Sequence, residues 1–81
     1  MYDDIENRVT EMVGKYAKRE GVTRNMHLMD DLELDALDIV EVIMAAETEF
    51  DIHISEDAAD CVRTVGDVVD AVIKSKKEAR A

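Results

Sequence analysis

Apolar residues recur along this chain at intervals of three and four, the period of one face of an α-helix. Ile5, Val9, Met12, Val13 and Tyr16 share a side of a first helix expected over about residues 4–18. Asp3 or Asp4 is placed to cap its start, and both suit the positive end of the helix dipole. Lys15, Lys18 and Arg19 suit its end, and Gly21 offers a stop. A second helix is expected over residues 36–50, with Asp35 as N-cap and Asp38 as the acid of a capping box. Ser55 caps a short third helix from Glu56 to Cys61 or Val62. A fourth starts at Thr64 or Val65 and runs to about Lys74, with Val65, Val68, Val69, Val72 and Ile73 at helical spacing. Ile52 and Ile54 alternate around His53, but that run is too short for an independent strand. The expected fold is all-α, a four-helix bundle with three long helices and one short one.

Between the first two helices lies a long loop, residues 22–35, and a loop of that length in a small domain is often functional. Val22, Met26, Leu28, Met29 and Leu32 are placed to pin it to the core.

The second helix carries two apolar stripes. On a wheel of about 100° per residue, Ile39, Val42, Ile43, Ala46 and Phe50 cluster on one side, which is the core face. Leu37, Val40 and Met44 cluster nearly opposite, flanked by Glu41, Glu47 and Thr48, with Asp35 and Asp38 at the N-terminal end. A domain of 81 residues does not easily cover both sides of one helix. Either Leu37 and Val40 tuck under the loop, or the second stripe is a docking strip ringed by acids. In the second case the acids orient a basic partner and the apolar strip, with its adaptable methionine, supplies contact area.

Composition sharpens this. Proline is absent and there are three glycines, which favours helices joined by short connections. The formal net charge is −10. Between Asp30 and Asp70 stand fourteen acids and one base, Arg63, while the remaining bases lie in the flanks. Such a surface repels nucleic acid and anionic membranes and attracts basic protein surfaces and divalent cations. Cys61 is alone, so no internal disulfide forms, and its expected place is a small core or helix-face position. No apolar run reaches transmembrane length. A cytoplasmic monomer is the expectation, although a mature organellar protein would look the same.

Enzyme chemistry finds little support. No carboxylate pair is isolated in an apolar setting, and there is no glycine-rich phosphate loop. His27 and His53 have no cysteine near them at metal-ligand spacing. Asp31, Glu33 and Asp35 alternate like the opening of a calcium loop, but Ala36 and Val42 stand where that loop needs Gly and a bidentate Glu. No catalytic residue and no metal site is assigned.

The segment Asp30-Asp31-Leu32-Glu33-Leu34-Asp35-Ala36-Leu37-Asp38 resembles the attachment motif of acyl carrier proteins, Asp-Leu-Gly-x-Asp-Ser-Leu-Asp/Glu. It matches at Asp31, Leu32, Asp35, Leu37 and Asp38. Val40 to Ile52 looks like that family's recognition helix and its exit, and Ile54 to Ala58 and Thr64 to Val69 resemble the starts of its last two helices. The similarity covers nearly the whole chain and is closest to freestanding carriers of bacterial-type fatty acid biosynthesis. It divides the chain into a carrier-like domain over residues 1–76 and a basic tail over residues 77–81, and the stretch from Lys74 to Ala81 is expected to fray.

The resemblance implies a four-helix bundle whose interior can take up an acyl chain. It implies acyl thioesters carried on a 4'-phosphopantetheine arm and presented to fatty acid synthase-type enzymes. It also implies a phosphopantetheinyl transferase, and basic patches on these partners that dock on the second helix. By position, Ala36 occupies the attachment site, and Asp35 matches the acid beside it that helps place the Mg²⁺-dependent transferase. Leu37, Asp38, Val40, Glu41, Met44 and Glu47 match the docking surface.

Two departures matter. Glu33 stands where the family usually has Gly, and Ala36 where it has Ser. A phosphodiester needs a hydroxyl nucleophile, which alanine lacks, so the chain as written cannot be loaded. Either a serine has been replaced, or the chain is a degenerate carrier acting as an acidic interaction or adaptor module. A carrier of a polyketide, aminoacyl or other specialised pathway is a further alternative.

Overall fold

Helices α1 (Tyr2–Ala17), α2 (Ala36–Phe50), α3 (Glu56–Asp60) and α4 (Val65–Arg80) follow one another in the computed structural model, which describes residues 2–80 and the side chains of residues 4–77. The expected four helices are present in order, three long and one short, and no strand occurs among the described residues. Helix α1 packs on α4 and α2, and α2 on α4. Between them Val9, Val13, Val42, Val65, Val68 and Val72 are wholly buried. Burying these side chains is the main term holding so small a domain together.

Helix ends show where local chemistry overrides the simplest reading. Helix α1 already contains Asp3 and Asp4, so neither is its cap. It stops at Ala17, one residue before the expected end and well before Gly21, because Lys18 turns into the left-handed region at φ 57°. The Arg19 N–H then donates to the Gly14 carbonyl at 3.0 Å, closing a Schellman-type turn. Gly14 is required there, since a Cβ on it would lie 2.9 Å from the Arg19 carbonyl oxygen. Helix α4 starts from a reciprocal cap. The Asp67 N–H donates to Thr64 Oγ1 at 3.1 Å, and Asp67 Oδ2 accepts from the N–H groups of Thr64 and Arg63. Burial pushes the Asp67 carboxyl up, but those backbone donors, the Thr64 hydroxyl and the Arg63 charge outweigh it and hold it below its ordinary value. Helix α4 continues six residues past Lys74, through residues expected to fray, while Ala81 lies outside the described residues.

The long loop is held by core packing and by its own backbone hydrogen bonds. Leu28 and Leu32 are buried as expected, and so is Leu34, while Val22 and Met26 pack partly against the core. Met29 is not a pin: it is 47% exposed. Tyr16 likewise lies at the rim rather than on the core face. His27 organises the loop. Its Nδ1 accepts from the N–H groups of Met29 and Asp30 at 3.2 and 3.1 Å, and its own N–H donates to Asp31 Oδ2. His27 also bridges to Thr64 in antiparallel fashion, with Leu28 N–H on the Arg63 carbonyl and Val65 N–H on the Met26 carbonyl. Arg24 adds a second tie, reaching Glu6 on α1 and Asp70 on α4. The loop is thereby fixed to the α3–α4 junction and delivers the chain to the start of α2 in one orientation. Cys61 belongs to no core: it is exposed at the C-cap of α3, because that short helix buries none of its residues fully.

Candidate functional site

The start of α2 is built by two aspartates. Asp35 takes an extended backbone and its Oδ1 accepts from the Asp38 N–H at 2.9 Å. Asp38 Oδ2 accepts in return from the Asp35 N–H at 3.2 Å. This capping box satisfies two otherwise orphaned donors and sets the first turn rigidly. Ala36 is the first residue of the helix and is exposed. Its side chain takes no part in the cap.

Three residues before Ala36, Glu33 sits at φ 57°. That is the left-handed region, in which glycine is free of strain. The loop therefore keeps a glycine-type turn despite the glutamate. Its carboxylate reaches Arg19 at 3.0 Å on an exposed surface. Leu34 N–H donates to the Leu28 carbonyl, and Glu33 N–H to that of Met29, so the turn is closed by backbone bonds on both sides.

The second stripe of α2 faces solvent. Leu37 is 75%, Val40 51% and Met44 59% exposed, while Val42, Ile43, Ala46 and Phe50 on the opposite side are buried. Leu37 and Val40 do not tuck under the loop. Glu41 is exposed beside them. The three apolar side chains form a strip about 10 Å long that begins next to Ala36. These three are exposed large apolar side chains aligned on one face of α2, away from the buried one.

The other acids of this region have structural partners. Asp35 and Asp38 are committed to the cap. Glu47 is largely turned inward: its Oε2 accepts from the Ile54 N–H at 2.8 Å and lies 3.2 Å from His53 Nδ1. It ties the α2–α3 connection to its parent helix, while Asp51, at φ 53°, terminates α2 with its N–H on the Glu47 carbonyl. Helical spacing alone does not reveal this use of Glu47, because the carboxylate reaches along the exit of the helix rather than out from its face. Met29, expected to pin the loop to the core, is instead exposed in the turn that leads into α2. Among the described residues no group of three His, Cys, Asp or Glu side chains is placed to hold a metal ion, and no helix is long and apolar enough to cross a membrane.

Comparison with known proteins points to one family. The family model described as the phosphopantetheine attachment site matches residues 7–72. The acyl carrier proteins of two Caulobacter vibrioides strains are 48% identical over 68 residues, covering 82% of this chain and 87% of each relative. A solved structure assigned as an acyl carrier protein from Mycobacterium tuberculosis superposes with a TM-score of 0.82 at 35% identity, over 86% of this chain and 96% of that one. The crystal structure of an acyl carrier protein from Thermotoga maritima gives 0.81 at 26% identity, over 96% of this chain and 93% of its own.

The family's cofactor is phosphopantetheine, held covalently. The residues at the start of α2 do not fit that bond, since Ala36 offers a methyl group. Thr48, in the same helix, is twelve residues further on, about 18 Å along the axis. Ser55 and Thr64 are occupied as the caps of α3 and α4.

Proposed function

The chain belongs to the acyl carrier protein family, and from that premise we propose that it is a carrier domain of fatty acid biosynthesis that works as an unloaded docking module. Members of the family are carriers and not enzymes; they interact with synthase enzymes that perform the chemistry. The parent task of this architecture is to present acyl thioesters on a 4'-phosphopantetheine arm. Ala36 withholds the nucleophile for that arm and leaves the docking surface in place. The observation that carries this reading is the exposed strip of Leu37, Val40 and Met44 beside Glu41, starting at a correctly capped helix end. The partners are basic patches on fatty acid synthase-type enzymes and on a phosphopantetheinyl transferase. Identity of 48% to a bacterial acyl carrier protein over most of both chains supports the carrier role; fatty acid biosynthesis and a cytoplasmic monomer belong to the same proposal.

The test is intact mass after incubation with coenzyme A, Mg²⁺ and a phosphopantetheinyl transferase. The Ala36→Ser variant gains one phosphopantetheine and the native chain gains none. Met44→Arg or Glu41→Lys, placed in the Ala36→Ser background, slows loading without loss of helical circular dichroism. A folded Ala36→Ser variant that stays unmodified refutes the carrier assignment.

A further inference from the structure

We propose that His27 makes the turn ahead of α2 a proton-sensitive latch, closed while the imidazole is neutral and released when it is protonated. The geometry at the ring carries this. Nδ1 accepts from the Met29 N–H at 3.2 Å and from the Asp30 N–H at 3.1 Å. A ring nitrogen that accepts carries no hydrogen, so the neutral ring holds its proton on Nε2. Imidazolium has a hydrogen on both nitrogens and accepts nothing. Protonation therefore removes both bonds at once and places a third donor against the two N–H groups. The charged ring has another partner within reach. Asp30 Oδ2 lies 3.8 Å from Nδ1, too far for a hydrogen bond and near enough to become one after a small movement of an exposed carboxylate. The turn thus has two arrangements. In the closed one Nδ1 gathers the two backbone donors. In the released one Nδ1–H donates to the Asp30 carboxylate, and the two N–H groups turn to water.

The ring is partly exposed, so water can deliver the proton. The other charged groups around it are Asp31 on the loop and, across the bridge to Thr64, Arg63 and Asp67. Each is already bonded. Asp31 Oδ2 holds the His27 N–H at 2.7 Å, Arg63 gives its guanidinium to the Asp60 and Val62 carbonyls, and Asp67 Oδ2 accepts from the N–H groups of Arg63 and Thr64. The release is local. Leu28 N–H stays on the Arg63 carbonyl at 2.9 Å and Val65 N–H on the Met26 carbonyl at 3.0 Å, while Arg24 still reaches Glu6 and Asp70. None of these bonds uses the imidazole. What shifts is the stretch from Met29 to Glu33, which carries the left-handed turn into α2. Acidification then remodels the surface just ahead of α2 without unfolding the bundle. His53 forms no such latch, because its Nδ1 lies 3.2 Å from Glu47 Oε2, a pairing that a proton strengthens.

The test is NMR on the native chain between about pH 8 and about pH 5, the range in which histidine changes charge. It follows the His27 ring signal and the solvent exchange of each amide, taken relative to the unfolded chain at the same pH. The protection of the Met29 and Asp30 amides should fall about tenfold, the worth of one hydrogen bond each, with the midpoint of the His27 ring. The Leu28, Ile54 and Val65 amides, held by Arg63, Glu47 and Met26, should keep theirs. His27→Asn places Oδ1 the same number of bonds from Cα as Nδ1 and takes no proton, so it should keep the turn closed across the whole range. It retains Asp30 and Asp31, so any effect of those carboxylates alone survives in it. Equal loss of protection in the native chain and in His27→Asn would overturn the proposal. So would Met29 and Asp30 amides that stay protected while the His27 ring titrates, or a ring that takes up no proton in this range.

Discussion

Replacing Glu33 by glycine should leave the protein more stable than replacing it by alanine, the reverse of the usual order. Glu33 has φ 57°. A residue with a Cβ pays about 1–2 kcal/mol in that conformation, and glycine does not. Glycine loses more freedom on folding, which takes back about 0.5–1 kcal/mol. The ion pair to Arg19 is lost in both variants; with side chains 46% and 79% exposed, it is worth about 0.2–1 kcal/mol. Glycine should therefore exceed alanine by about 0.5–1 kcal/mol, a difference of roughly 2–8 °C in Tm for a domain of this size. Urea and thermal unfolding followed by helical circular dichroism read this directly. Repeating the melts at about 1 M NaCl, where the Debye length falls to about 3 Å, should bring alanine level with the native glutamate and leave the glycine advantage intact. If alanine equals or exceeds glycine at both salt concentrations, residue 33 is not held left-handed and the account of this turn is wrong.

Two further predictions probe the core and the last helix. Leu28→Ala, at a wholly buried position, should cost about 2–5 kcal/mol in urea unfolding, whereas Leu37→Ala, 75% exposed, should stay within about 0.5 kcal/mol while weakening partner binding. Asp67, whose carboxyl is held below its ordinary value of 3.8, contributes stability that is complete above the unfolded value and lost as pH falls through the folded one. The stability gap between the native chain and Asp67→Asn should therefore narrow as acid unfolding is followed downward from pH 3.8, and a gap constant with pH would refute the cap's ionic character.

Periodicity made α2 and the core stripe of α4 legible, because one buried face imposes its spacing on the residues that fill it. Asp35, Asp38 and Ser55 were readable as caps, since few residue types perform that job. What stayed hidden depends on contacts between distant segments. Nothing near His27 announces that its ring accepts two backbone donors, or that its backbone pairs with Thr64. Leu34 looks like a loop residue until the left-handed turn at Glu33 points it inward. Met29 and Tyr16 fit an apolar pattern and yet face water, because periodicity gives an angle around a helix or turn but not the depth of what lies opposite.

The residues of the candidate site carry unequal weight as signs of function. Asp35 and Asp38 match the carrier motif, but they also cap α2, and a helix needs such a cap whatever the protein does. Glu47 matches the docking surface, but its carboxylate closes the turn into Ile54. Their presence is expected of any chain with this fold and says little about binding. Leu37, Val40 and Met44 are different. Their side chains stand mostly in water, on the side of α2 away from the core, so the fold gains little by keeping them apolar and a polar residue would serve each position as well. Three such residues aligned along two turns, starting beside the position where the arm should be attached, are not accounted for by packing, and this is what supports the proposed partner surface. Ala36 sharpens the contrast. A serine there would cost the helix almost nothing, because first-turn N–H groups and solvent satisfy its hydroxyl. The missing oxygen is therefore no adjustment to the fold. On the proposed reading it separates the two halves of a carrier's work, being held and being loaded, and leaves this chain with the first.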